Sequence, residues 1–271
     1  MGKFTTMKKI AALFIFFTAS QLLAHEFWLH PNKFIYRRGE TINVRFFVGE
    51  EFNGENWKGD YSRVKSLKFY FSDVQDDLSD YIKEEKGDSL LISLFDEGTA
   101  MVTFHSTNSF VEMEAGHFNS YLKEQGLVDA LHYRQEHKEF QSKGREYYQR
   151  SVKTVLQVGS VKTNVWNKLT ELPLDIIPLK NPYDLKDGDS LSVKILFNKT
   201  PLTNALVKIW NRFDNQLGKI ELTTNKNGQV TFPVFTSGRW MLTTVAMTRI
   251  EKRSRADWQS YWGSLTWGYV Y

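Results

Sequence analysis

Cysteine is absent from all 271 residues. That excludes disulfides, any disulfide-linked partner, thiolate metal centres and a cysteine-linked lipid anchor, and it frees folding from the redox state of the compartment. Long apolar runs are also missing. Residues 10–17 (IAALFIFF) fall short of the ~20 needed to cross a bilayer, and no other run reaches that length. The sequence contains no HExxH, GxSxG, GxGxxG or P-loop signature and no thiol nucleophile, so a non-enzymatic protein is expected. Histidine is absent beyond residue 137, low-complexity tracts are absent throughout, and neither sign of charge dominates.

The first 24 residues have the layout of an export signal. Lys3, Lys8 and Lys9 form a positive start, residues 10–17 an apolar middle, and Leu22-Leu23-Ala24 a small-residue end. Thr18-Ala19-Ser20 offers a competing cut that would leave Gln21 first. Cleavage after Ala24 would leave a soluble periplasmic protein beginning at His25. The whole chain carries 35 Lys+Arg against 31 Asp+Glu, but three of those lysines lie in the signal, leaving 32 against 31. A balance so near neutral gives no electrostatic footprint for nucleic acid.

What is abundant is aromatic side chain, 15% of the residues, a composition suited to strands around aromatic cores. In residues 41–48 (TINVRFFV), Ile42, Val44, Phe46 and Val48 share one face of a predicted strand. Residues 66–71, 89–95, 99–104 and 152–158 add further strands. Between about 114 and 150 the period turns helical through Phe118, Tyr121, Leu122, Leu127 and Leu131, with breaks at Gly126 and Gly144. Residues 171–190 hold Pro173, Pro178 and Pro182 and the turn Asp187-Gly188-Asp189, and read as a linker. Beyond it, 191–197 alternates, and 205–210, 220–224, 229–235 and 240–247 read as further short strands, with a hairpin signal at Asn225-Lys226-Asn227-Gly228.

The predicted fold is mostly β, with two Ig-like or prealbumin-like β-sandwich domains. The first spans 25–170 and carries a helical insertion at about 114–150; the second spans 191–271. Alternating aromatics at the end of the chain (Leu265, Trp267, Tyr269, Tyr271) also occur in outer-membrane barrels, but the helical block and short strands argue against one.

Histidine is the commonest metal ligand and a base near neutral pH. The candidates are His25, His30, His105 and His117; His132 and His137, five apart on a charged predicted helix, form no local clamp. His25 and His30 have opposite parity in an extended chain, so no two-histidine motif exists locally. His25 is distinctive because cleavage before it would supply an imidazole and an α-amine on one residue. Glu26 beside it is a candidate oxygen donor, and Glu112 and Glu114 flank His117.

Ordered motifs along the chain resemble the exported family called domain of unknown function 4198, often labelled a periplasmic component of cobalt or nickel uptake. They begin with Ala24-His25-Glu26-Phe27-Trp28-Leu29, Arg38-Gly39-Glu40 and the stretch from Val48-Gly49-Glu50-Glu51-Phe52-Asn53-Gly54 to Glu55. They continue through residues 118–127 (FNSYLKEQGL), Arg145-Glu146-Tyr147-Tyr148-Gln149-Arg150 with Lys153, Asn181-Pro182-Tyr183, and Gly238-Arg239-Trp240. One departure is Ala246-Met247, where the family often has a histidine before methionine.

The resemblance implies an accessory that binds a divalent transition metal (Ni, Co or Cu) through His25, with co-ligands among Glu26, His30, His105 and His117. A membrane metal transporter is the implied partner. Two other readings are a metal-free module that recognises a glycan or a transporter, and a copper oxidoreductase built on an N-terminal histidine.

Overall fold

The computed structural model describes residues 25–57, 60–84, 89–251 and 254–270; the expected signal, 1–24, lies outside them. The chain opens with β1 (Glu26–Pro31), β2 (Ile35–Tyr36), β3 (Thr41–Glu50), β4 (Asn53–Asn56), β5 (Val64–Phe71) and β6 (Val74–Asp77). Then come α1 (Ser79–Glu84), β7 (Ser89–Ser93), β8 (Gly98–Ser106), β9 (Ser109–Met113), α2 (Ala115–Glu124), α3 (Val128–Glu136) and the long strand β10 (Gly144–Val158). The second half holds β11 (Leu174–Pro178), β12 (Ser190–Phe197), β13 (Thr200–Pro201), β14 (Leu206–Phe213) and β15 (Gln216–Thr223). It ends with β16 (Gln229–Pro233), β17 (Arg239–Arg249) and β18 (Trp258–Gly268).

The chain is mostly β, as its patterning predicts, and builds two sandwiches that share a layer. A ten-stranded sheet runs β15-β14-β17-β18-β10-β8-β5-β6, with β2 and β9 also on β10. A small sheet of β1, β3, β4 and β7 covers one end of it, and another of β11, β12, β13 and β16 covers the other. Ile42, Val44 and Phe46 of the first cover meet Leu67, Val102, Phe104 and Leu156 in one core. Leu191, Val193, Ile195 and Phe232 of the second meet Val207, Ile209, Leu242 and Trp267 in the other.

The halves join through the parallel pair β10–β18, in register from Glu146↔Trp258 to Thr154↔Thr266. The segment expected as a linker contributes the fully buried strand β11, so the boundary at 171–190 falls on a cover strand rather than on a free loop.

The helical insertion is shorter than predicted. It ends with α3, and residues from Gly144 onward extend as strand β10 instead of continuing a helix to about 150. Glu146 and Lys153 of that strand are buried, which erases the alternation that marks a strand with one wet face. Lys153 pairs with Asp175 of β11, and Asp175 accepts from Thr170 N–H and Oγ at 2.9 Å.

Strand β1, which the patterning does not signal, is almost wholly buried. The Ser264 and Thr266 hydroxyls of β18 donate to the Phe27 and Leu29 carbonyls at 2.7 and 2.8 Å. Its two faces divide by parity. Phe27 and Leu29 enter the first core, while Trp28 packs with Trp210 of β14 and Met241 of β17.

Candidate cleft between the first strand and the second sandwich

The face of β1 that carries Trp28 also carries Glu26 and His30. Where Glu26 ends that row, a cleft of about 760 Å³ opens. Its walls are Glu26, Glu50 and Glu51 at the β3–β4 turn, Tyr121, Lys123, Glu124 and Gln125 of α2 and the residue after it, Leu206, Lys208 and Trp210 of β14, and Lys219 and Glu221 of β15. Leu206, Lys208 and Trp210 are two apart and share one face of their strand.

The turn between β3 and β4 is strained to make this mouth. Glu51 and Phe52 have φ of 50° and 58°, the left-handed region where a side chain costs ~1–3 kcal/mol. Gly49 and Gly54 oppose each other in register, and a Cβ on Gly54 would lie 2.4 Å from the Val48 carbonyl and 2.6 Å from the Trp28 ring. Phe52 then packs edge-on against Trp28 at 5.7 Å. The Glu51 backbone, near the Glu26 carboxyl, works against the burial that raises its pKa.

Glu26 is 8% exposed, and its Oε2 has no partner. Burial pushes its pKa up to about 7 against the opposing pull of Lys208. Burial likewise lowers the Lys208 ammonium, with Glu26 pulling the other way. In both groups desolvation outweighs mutual attraction, consistent with charges that face each other without a contact ion pair. Lys208 donates instead to the Gln125 side-chain carbonyl at 3.1 Å. Trp210, 1% exposed, has an indole N–H with no acceptor.

Beneath the wall, the Tyr121 hydroxyl donates to Glu146 Oε1 at 3.2 Å, and the same oxygen takes a short bond from Ser260. Glu146 is wholly buried, and burial raises its pKa to about 7.

The histidines occupy different places. His25 Nδ1 lies 3.1 Å from Glu50 Oε1, and its carbonyl faces Arg150 at 3.5 Å. His30 is stacked on Phe47 at 4.2 Å, with the Trp28 indole N–H at Nδ1 and Arg239 at Nε2, each 3.2 Å away. Burial, then the Arg239 and Arg45 cations, lower its pKa to about 4, so the ring is neutral and structural. His105 is buried on β8 with Nε2 2.5 Å from Gln149 Oε1, and burial lowers its pKa. His117 lies exposed on the first turn of α2.

Only His25 and Glu26 of the five predicted residues lie at or beside the cleft. Among the described residues, no three of His, Asp or Glu converge as a metal centre would require. Sequence reading did not single out Glu50, Lys208 or Trp210. The available signal for the last two was a lysine between Leu206 and Trp210 on one side of a strand whose other side, Val207 and Ile209, is core.

These features define a two-sandwich β protein with a charged cleft where its first strand meets the second sandwich. The chain belongs to the family described as Domain of unknown function (DUF4198), whose model matches residues 22–248. No curated protein matches it. Among solved structures, it overlaps an alpha-2-macroglobulin of Salmonella at 12% identity and TM-score 0.21, covering 90% of this chain and 15% of that one. The Escherichia coli alpha-2-macroglobulin gives 9% and 0.20, covering 90% and 20%. Three N-terminal domains of the outer capsid protein Hoc of bacteriophage RB49 give 6% and 0.20, covering 91% and 100%. The chain thus spans a fifth or less of either macroglobulin, and overlaps this loose carry no argument about function.

Proposed function

We propose that this protein is an exported, non-enzymatic binder of a divalent transition metal of the nickel, cobalt or copper class. It acts in the periplasm as an accessory to uptake or handling and delivers to a membrane metal transporter. The observation that carries the reading is the 3.1 Å approach of His25 Nδ1 to the Glu50 carboxylate at the cleft rim. If the chain begins at His25, its α-amine and Nδ1 close a six-membered chelate around one ion, and Glu50 adds an oxygen. An N,N,O set suits these metals, with selectivity left to geometry and availability. The third donor, which no side chain supplies, is then the main-chain amine. Glu26, with its unpartnered Oε2, is the adjacent reserve donor.

Calorimetric titration of Ni, Co and Cu tests this on three proteins: one beginning at His25, one with a single extra residue before it, and Glu50→Gln. Tight binding is expected only with His25 first, weakened about tenfold or more by Glu50→Gln. Equal affinity with and without the extra residue, or no binding to either, overturns the reading.

A further inference from the structure

The cleft is far larger than a metal ion, and three lysines line it among five glutamates. A bare cation gains nothing from the lysines. Lys219 is accounted for by Glu221 at 2.8 Å. Lys208 feels Glu26, Glu221 and Glu124 at a distance, but its ammonium has three donors and its hydrogen bond goes to the neutral Gln125 carbonyl. Two positions along the same strand face, with Cα atoms about 7 Å apart, the Trp210 N–H lacks an acceptor. Across the floor, Glu26 Oε2 lacks a donor. Each unmet buried group costs about 1–3 kcal/mol, so a molecule that completes all of them recovers a sizeable interaction.

We infer that the cleft floor binds a small α-hydroxy or α-amino carboxylic acid. Lys208 and the Trp210 indole N–H hold its carboxylate, and Glu26 accepts from its hydroxyl or ammonium group. A carboxylate offers about four lone-pair sites, enough for both donors at once. The hydroxyl or amine beside it supplies the donor that Glu26 lacks. The site uses none of the His25 chemistry and shares with the metal reading only Glu26, that reading's reserve donor. The acid reaches it either free or as the chelator of a metal ion.

The test is calorimetry with citrate and with L-histidine, each free and as its 1:1 nickel complex, on the protein beginning at His25 and on Lys208→Met and Trp210→Phe. Binding of at least one probe is expected, weakened tenfold or more by Lys208→Met. Trp210→Phe, which keeps the ring and removes one donor, is expected to cost three- to tenfold and serves if the lysine variant misfolds. Binding of the free acid assigns a free ligand; binding of the nickel complex alone, with the same sensitivity to both variants, assigns a metal-borne chelator. Absence of binding by every probe, or affinities indifferent to both variants, overturns the carboxylate site. Should free nickel still bind under that outcome, the His25 reading survives; should an acid bind while nickel does not, the His25 reading fails and this one stands.

Discussion

Replacing Glu146 with glutamine should stabilise the protein by about 3 kcal/mol at pH 8 and by less than ~1 kcal/mol at pH 5. The carboxyl is wholly buried among Tyr121, Ser260 and Trp262, and its pKa rises from 4.5 to about 7 because burial outweighs the hydrogen bonds that Ser260 and Tyr121 give it. Between those values the folded state keeps a proton that the unfolded chain has lost. Stability from this group is therefore full below pH ~4.5 and declines as pH rises through 7. The slope reaches about 1.2 kcal/mol per pH unit near pH 6, and the loss totals about 3 kcal/mol at 1.36 kcal/mol per unit. Glutamine offers the same carbonyl acceptor to Ser260 and Tyr121 but does not ionise.

The assay is urea unfolding at half-unit steps from pH 5 to pH 8, read as variant minus wild type. Taking the difference matters, because Glu26 lowers stability across the same window while His30 raises it between pH 4 and 6.5. Both contributions cancel in the subtraction. The variant should gain steadily on the wild type, reaching about 3 kcal/mol by pH 8. A difference that stays flat with pH would refute the burial argument.

Lys153→Met should cost about 3–5 kcal/mol in chemical denaturation, because it strands Asp175, 2% exposed, without its cation. Adding Asp175→Asn should restore more than half of that; a single-variant loss below ~1 kcal/mol would mean the pair carries no buried charge. Gly144→Ala should destabilise by ~1–3 kcal/mol and speed proteolysis within 115–136, since a Cβ there would lie 2.0 Å from the Phe118 ring. Unchanged proteolysis would show that Phe118 does not anchor α2 on β10.

Much of the fold was written in periodicity. The strands at 41–48 and 191–197 alternate cleanly because one flank faces a core and the other is less buried. His25 and His30 share no neighbour: one meets Glu50 and the other Arg239. Residues 144–150 misled, since a strand with Glu146 buried and half-buried Tyr147 and Tyr148 on opposite faces shows no two-residue period. Nor could β1 be seen, because both its flanks are covered.

By itself, then, the sequence determined the fold class, the lack of any disulfide or thiol chemistry, and the singular position of His25 behind an export-like segment. The tertiary structure decided the rest. Parallel pairing of β10 with β18 joins segments more than a hundred residues apart, and local preference carries no information about such a partner. That pairing makes one sheet of both halves and brings β14 against β1, so that Lys208 and Trp210 face Glu26. The cleft exists because burial is a property of the assembled layers: a lysine on one strand and a glutamate on another become a site only when the same packing takes both from water.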